Sequence, residues 1–157
     1  MPFFPNHSEV LVSSWTKEEV LERVDLVTRD ANFLEYELEK NKGYQFNGTL
    51  GRDSFRLSLV ITKADSFLPL IKGKLESTPK GCILFLHYSL FPGSVFFLGF
   101  WSVMTLILAI FFAMVAGNFL FSGISLAVGI GNYLFAWNHF KRKIKISQEI
   151  FHELLNL

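Results

Sequence analysis

Sixty consecutive residues, 81–140, contain no Asp, Glu, Lys or Arg. The chain has 157 residues and 29 such charged side chains, of which 23 fall in 1–80 and six in 141–157. A helix that is apolar all round needs apolar surroundings on every side, which a chain this short cannot supply from its own core. Residues 95–116 give 22 positions whose only hydroxyls are Ser102 and Thr105. At ~1.5 Å per residue they reach roughly 33 Å, enough for the ~30 Å hydrocarbon core of a bilayer. Gly117-Asn118 is a turn signal, and a second apolar stretch follows over 119–137, with Asn132 its most polar residue. The sequence therefore predicts a two-helix transmembrane hairpin within 92–140, made of spans 95–116 and 119–137.

The flanks predict an orientation. Lys141, Arg142, Lys143 and Lys145 follow the second span, and the turn carries no basic residue. By the positive-inside rule both termini lie in the cytoplasm and the turn outside, in a multi-pass cell-membrane protein. The same four residues are candidates for contact with anionic lipid headgroups. Trp101 and Trp137 then fall near the cytoplasmic interface, where Trp is favoured. Ala109, Ala113 and Gly117 recur every four residues on the first span, as do Gly123, Ala127 and Gly131 on the second. Small residues at that spacing let helix backbones approach closely, so this stripe is expected to pack the hairpin, or alternatively a homodimer. A span without an ionisable residue carries no mark of an ion pathway.

Residues 1–91 read as a cytoplasmic α+β domain. Residues 9–15 are β-branched and aromatic and predict a strand. Thr16 and Glu19 form a capping box, and Val20, Leu21, Val24 and Val27 a helical stripe, so a helix is expected near 17–30. Residues 35–42 are mixed and charged, a ragged strand or a loop. Tyr44, Phe46 and Leu50 alternate, and Phe55, Leu57, Leu59 and Ile61 alternate cleanly with polar neighbours. Strands are also expected over 67–76 and 83–90, with Pro69 at an edge or a bulge. The expected fold is α+β: a small antiparallel sheet, a helix near the N-terminus, the hairpin, and a C-terminal amphipathic helix over 141–157. That last helix places Ile144, Ile150, Phe151, Leu154, Leu155 and Leu157 on one face. It has two physical options, to cover the sheet or to lie on the membrane. Covering the sheet is preferred, because the polar domain otherwise has one short helix for that purpose.

The segments Phe46-Asn-Gly48, Phe55-Arg-Leu57 and Asp65-Ser-Phe-Leu-Pro-Leu-Ile-Lys-Gly73 resemble an uncharacterised group of small bacterial membrane proteins. In that group a short α+β domain is interrupted or followed by a two-helix hairpin. The resemblance covers most of 44–140 and implies this architecture and a bacterial inner membrane, without implying an activity.

No catalytic motif stands out. Glycine loops that cradle phosphate, His-Glu-x-x-His, Gly-x-Ser-x-Gly and Cys-x-x-Cys are absent from the sequence. The single cysteine, Cys82, reads as a small apolar strand residue. His87 and His139 flank the apolar run and could approach one interface, but a metal would need further ligands. Glu35, Glu37 and Glu39 fall on one side of a strand, where like charges prefer water. A net charge of +1 gives no field for nucleic acid. No cofactor is expected. The leading expectation is a non-catalytic, membrane-tethered interaction domain whose partners are the lipid bilayer and a protein or a second copy. The alternative is a lipid or apolar small-molecule binding module at the cytoplasmic face, with a cavity lined by Phe46, Phe55, Leu57, Phe67 and Phe85.

Overall fold

The computed structural model describes residues 3–30, 43–60 and 65–156. Six strands and three helices follow the order β1 (Asn6–Ser13), α1 (Lys17–Leu26), β2 (Thr28–Asp30), β3 (Phe46–Leu50), β4 (Ser54–Leu59), β5 (Pro69–Thr78), β6 (Gly81–Leu90), α2 (Pro92–Met114) and α3 (Phe119–Leu155). The expected ragged stretch with Glu35, Glu37 and Glu39 lies outside the described residues, as do Ile61 of the alternating strand and Leu157.

The strands form one sheet in the order β1-β6-β5-β4-β3-β2. It is mixed, which corrects the expected antiparallel sheet: β2 pairs parallel to β3, whereas the other four pairings are antiparallel. Parallel pairing needs the chain to return to the same end of the sheet. With only three residues, β2 is too short to show alternation in sequence. β5 and β6 are joined by a tight turn at Pro79-Lys80, with Thr78 opposite Gly81. Pro69 is not on an edge strand. It opens β5 one residue beyond the β4 pairing, which ends at Leu70, so its missing N–H breaks no bond to β4.

The alternation read from sequence puts Phe55, Leu57, Leu59, Ile71, Leu75, Leu84 and Leu86 on one buried face. α1 and the second half of α3 cover it. The capping box starts α1: the Thr16 N–H donates to Glu19 Oε2 at 2.8 Å and the Glu19 N–H to Thr16 Oγ1 at 3.3 Å. Val20 and Val24 of this helix are fully buried. Arg23 lies over the Trp15 ring at 3.9 Å and donates to the Leu154 carbonyl at 3.0 Å, a cation at the C-terminal end of α3.

α2 and α3 are each long and apolar enough to cross a membrane. α3 is a single helix of 37 residues, so 141–157 does not begin a separate element. No Gly or Pro after Gly131 interrupts it. Its buried residues Ala136, Phe140, Ile144, Ser147, Phe151 and Leu155 recur every three or four positions. The stripe starts beside α2 and ends on the sheet, where the Phe151 ring stacks on Phe46 at 5.1 Å and on Phe55 at 5.9 Å.

Candidate functional site

The elements meet where α3 leaves α2 and reaches the sheet. Asp65, just before β5, sits there with its side chain largely buried. One oxygen, Oδ1, accepts the Phe67 N–H at 3.1 Å and so turns the chain into the strand. The other, Oδ2, lies 2.7 Å from His139 Nε2 and 3.6 Å from Lys143 Nζ. Arg142 lies 3.1 Å from His139 Nδ1. A guanidinium only donates, so Nδ1 accepts and Nε2 carries the proton given to Asp65. Burial pushes the Asp65 carboxyl up, but the His139 and Phe67 hydrogen bonds and the charge of Lys143 outweigh it and hold the group below its ordinary value. Both ring nitrogens of His139 are engaged. The cluster ties the start of β5 to α3.

A second tie lies on the β1 side. The buried Tyr88 hydroxyl donates to Glu9 Oε1 at 2.6 Å, and Gln148 Nε2 on α3 donates to Glu9 Oε2 at 2.6 Å. Burial first, and then the Glu9 contact, push the Tyr88 phenol far above its ordinary value. Phe67 forms a third tie, with ring centres 6.1 Å from Phe97 on α2 and 6.3 Å from Phe135 on α3. Beside it, an open cleft of about 410 Å³ at the foot of α2 is lined by Asp65, Ser66, Leu68, Phe91, Ser94 and Phe97.

The basic run divides. Lys141, Arg142 and Lys145 are exposed, with the Lys141 ammonium 5.8 Å from the Trp137 ring, whereas Lys143 turns inward to Asp65. Helical spacing explains the split, since Lys143 shares a face with Phe140 and Ser147. The run is thus not one uniform patch.

The small-residue stripe also divides. Ala109 is buried and Ala113 half-buried, but Gly117 is an exposed turn residue with φ of 61°. Gly123, Ala127 and Gly131 are exposed, and a Cβ at Gly123 or Gly131 would meet nothing within 4 Å. Within the chain these three do not lie against α2. The close approach is at Gly129, where a Cβ would lie 2.4 Å from Thr105 Oγ1. Ser122 Oγ donates across to the Ala109 carbonyl at 2.8 Å. Ser122 and Gly129 are seven residues apart on one face of α3, as Ser102, Thr105 and Ala109 share a face of α2, a signal that four-residue spacing alone misses. Thr105 and Ser102 also bond back to their own helix, Oγ1 to the Trp101 carbonyl at 2.9 Å and Oγ to the Leu98 carbonyl at 2.7 Å.

The expected apolar-ligand lining is filled or dispersed. Phe46, Phe55, Leu57 and Phe67 are buried, and Phe151 occupies the space over Phe46 and Phe55. Phe85 lies on the opposite face of the sheet, because it alternates with buried Leu84 and Leu86. His87 also lies on that face, bonded to Ser8 Oγ through Nδ1 at 2.8 Å, so it does not meet His139. Cys82 is buried, and burial raises its thiol. Among the described residues no group of three His, Cys, Asp or Glu side chains is placed to hold a metal ion. No protein-family model matches the chain, and no curated protein or solved structure is found to be similar to it.

Proposed function

We propose that this chain is an integral protein of a bacterial inner membrane whose sheet domain is a non-catalytic interaction module held at the cytoplasmic face. In this reading α2 and residues 119–137 of α3 span the bilayer, the turn at Gly117-Asn118 lies outside, and both termini are cytoplasmic. One observation carries the proposal: α3 is unbroken from its apolar first half to a second half buried against the sheet. A helix continuous through both environments is a rigid support, whereas a flexible linker would let the domain diffuse about its anchor. Phe97, Trp101, Tyr133 and Trp137 cluster near the sheet end of the pair, as an interfacial aromatic belt requires. Lys141, Arg142 and Lys145 stand beside them and face anionic headgroups.

Single-cysteine labelling in a Cys82→Ser background tests the reading. A membrane-impermeant maleimide applied to intact cells is expected to label Asn118→Cys and to spare Lys145→Cys until the cells are opened. The protein should stay with the membrane through alkaline carbonate extraction. Extraction into the soluble fraction, or labelling at position 145 in intact cells, would overturn it.

A further inference from the structure

The sheet face turned away from α3 carries charge and apolar surface that nothing in the described fold uses. Its residues alternate with the core. Register places Arg56 on β4 directly opposite Lys72 on β5, and Lys72 directly opposite His87 on β6. All three are exposed. Like charges directly opposite one another destabilise a sheet pair. Here no acidic residue among the described ones shares the row, which continues to Thr49 on β3 and Ser8 on β1. The nearby cation Lys74 already has a partner, Glu76 at 2.8 Å. Arg56 and Lys72 have no ion pair among the described residues.

The next two rows are apolar at the β1 end. Val10 on β1 stands opposite Phe85 on β6 and Val12 opposite Ile83, while on β5 these rows continue to the paired Lys74 and Glu76. Val10 is 56% exposed, Val12 67% and Phe85 38%. An open sheet face is ordinarily polar. Uncompensated positive charge joined to apolar surface has the composition of an interface.

We propose that this face docks a polypeptide segment of a partner protein that combines clustered Asp or Glu side chains with apolar ones. The acidic groups meet Arg56 and Lys72, and the apolar groups cover Val10, Val12, Ile83 and Phe85. The proposal rests on the interaction-module reading above and gives that module its surface and its partner's chemistry. A bilayer fits the face less well. In the tether reading α3 leaves the membrane as one helix with the sheet packed on its second half, which turns the outer face to the side of that helix. Nucleic acid fits less well also, because single-strand binding relies on aromatic platforms and this face offers Phe85 beside aliphatic residues. A second copy would bring an identical basic row against this one.

The test is site-specific photo-crosslinking with the full chain in the cells that produce it, using p-benzoylphenylalanine in place of Phe85. The expected result is a light-dependent protein adduct whose crosslinked peptide, identified by mass spectrometry, contains clustered Asp or Glu residues. Adding Arg56→Glu and Lys72→Glu should reduce that adduct about tenfold, the loss expected when two interface anchors are reversed. Lys80→Gln, an exposed cation in the β5–β6 turn, should leave it unchanged. The proposal is overturned by a nuclease-sensitive adduct, by an adduct to lipid or to a second copy, by a protein adduct that survives the charge reversal, or by no adduct at all. Loss of the protein from the membrane fraction before irradiation would instead count against the tether. The charge-reversal variant must keep its unfolding temperature, which surface positions allow, so that a lost adduct reports on docking.

Discussion

Replacing Phe151 by Ala tests whether the end of α3 belongs to the sheet domain. The ring is fully buried, tilted 27° from Phe46 and 16° from Phe55. Removing a buried Phe side chain from its apolar surroundings costs about 1.5–3 kcal/mol in transfer free energy alone. The hole left behind cannot close easily. Phe55 already lies against Gly73 on β5, where even a Cβ would come within 2.1 Å of the ring, so its position is fixed from that side. Transfer and cavity together put the expected loss at about 3–5 kcal/mol, with the lost ring stacking included. The assay is thermal unfolding of the full chain in lipid nanodiscs. Trp101→Phe and Trp137→Phe leave Trp15, beside α1, as the fluorescent reporter. For a chain of this size the midpoint should fall by roughly 10 °C. Phe151→Leu, which keeps more of the volume, should lose about 1.5 kcal/mol or less. A fall below about 2 °C for Phe151→Ala would refute the reasoning, because a helix end lying on the bilayer surface would lose no sheet contact.

Three further outcomes follow from the same geometry. Gly129→Leu should weaken the α2–α3 pair by about 1–3 kcal/mol in a bicelle unfolding assay, through the clash with Thr105, whereas Gly123→Leu should leave that pair intact. Gly73→Val should prevent the sheet domain from folding, read as protease sensitivity of 1–91, because its Cβ overlaps the Phe55 ring. Asp65→Asn should lower stability near neutral pH by about 1.5–3 kcal/mol, the range for hydrogen bonds to a charged group. Asp65 is held below its ordinary value, so its contribution is present above the unfolded carboxyl value of 3.8 and is lost as pH falls through the lower folded value. Unfolding temperature against pH should therefore drop on the acid side in the parent chain and flatten in Asp65→Asn.

Local features of the chain announce much of this architecture. Within the charge-free run, the apolar stretches 95–116 and 119–137 are long enough for membrane-length helices, and α2 and α3 occupy them, whereas residues 81–90 form β6. Thr16 and Glu19 start α1 through contacts three residues apart, and the alternation from Phe55 to Leu59 decides which side of β4 is buried. Each of these signals is short-range. The lack of Gly or Pro after Gly131 likewise permits a continuous α3.

The candidate site needed the tertiary structure. His139 and Lys143 are four apart on one face of α3, but no spacing in sequence relates them to Asp65, which lies before β5. The link from Glu9 to Gln148 spans most of the chain. The parallel pairing of β2 depends on where the chain re-enters the sheet, which three residues cannot specify. Rotation of α3 about its own axis was hidden for a different reason. In an apolar helix every face is compatible with lipid, and hydrophobicity does not distinguish the packed side from the exposed one. Close packing and hydroxyl hydrogen bonds choose Gly129 and Ser122 over Gly123 and Gly131, and those contacts exist only once the two helices lie side by side.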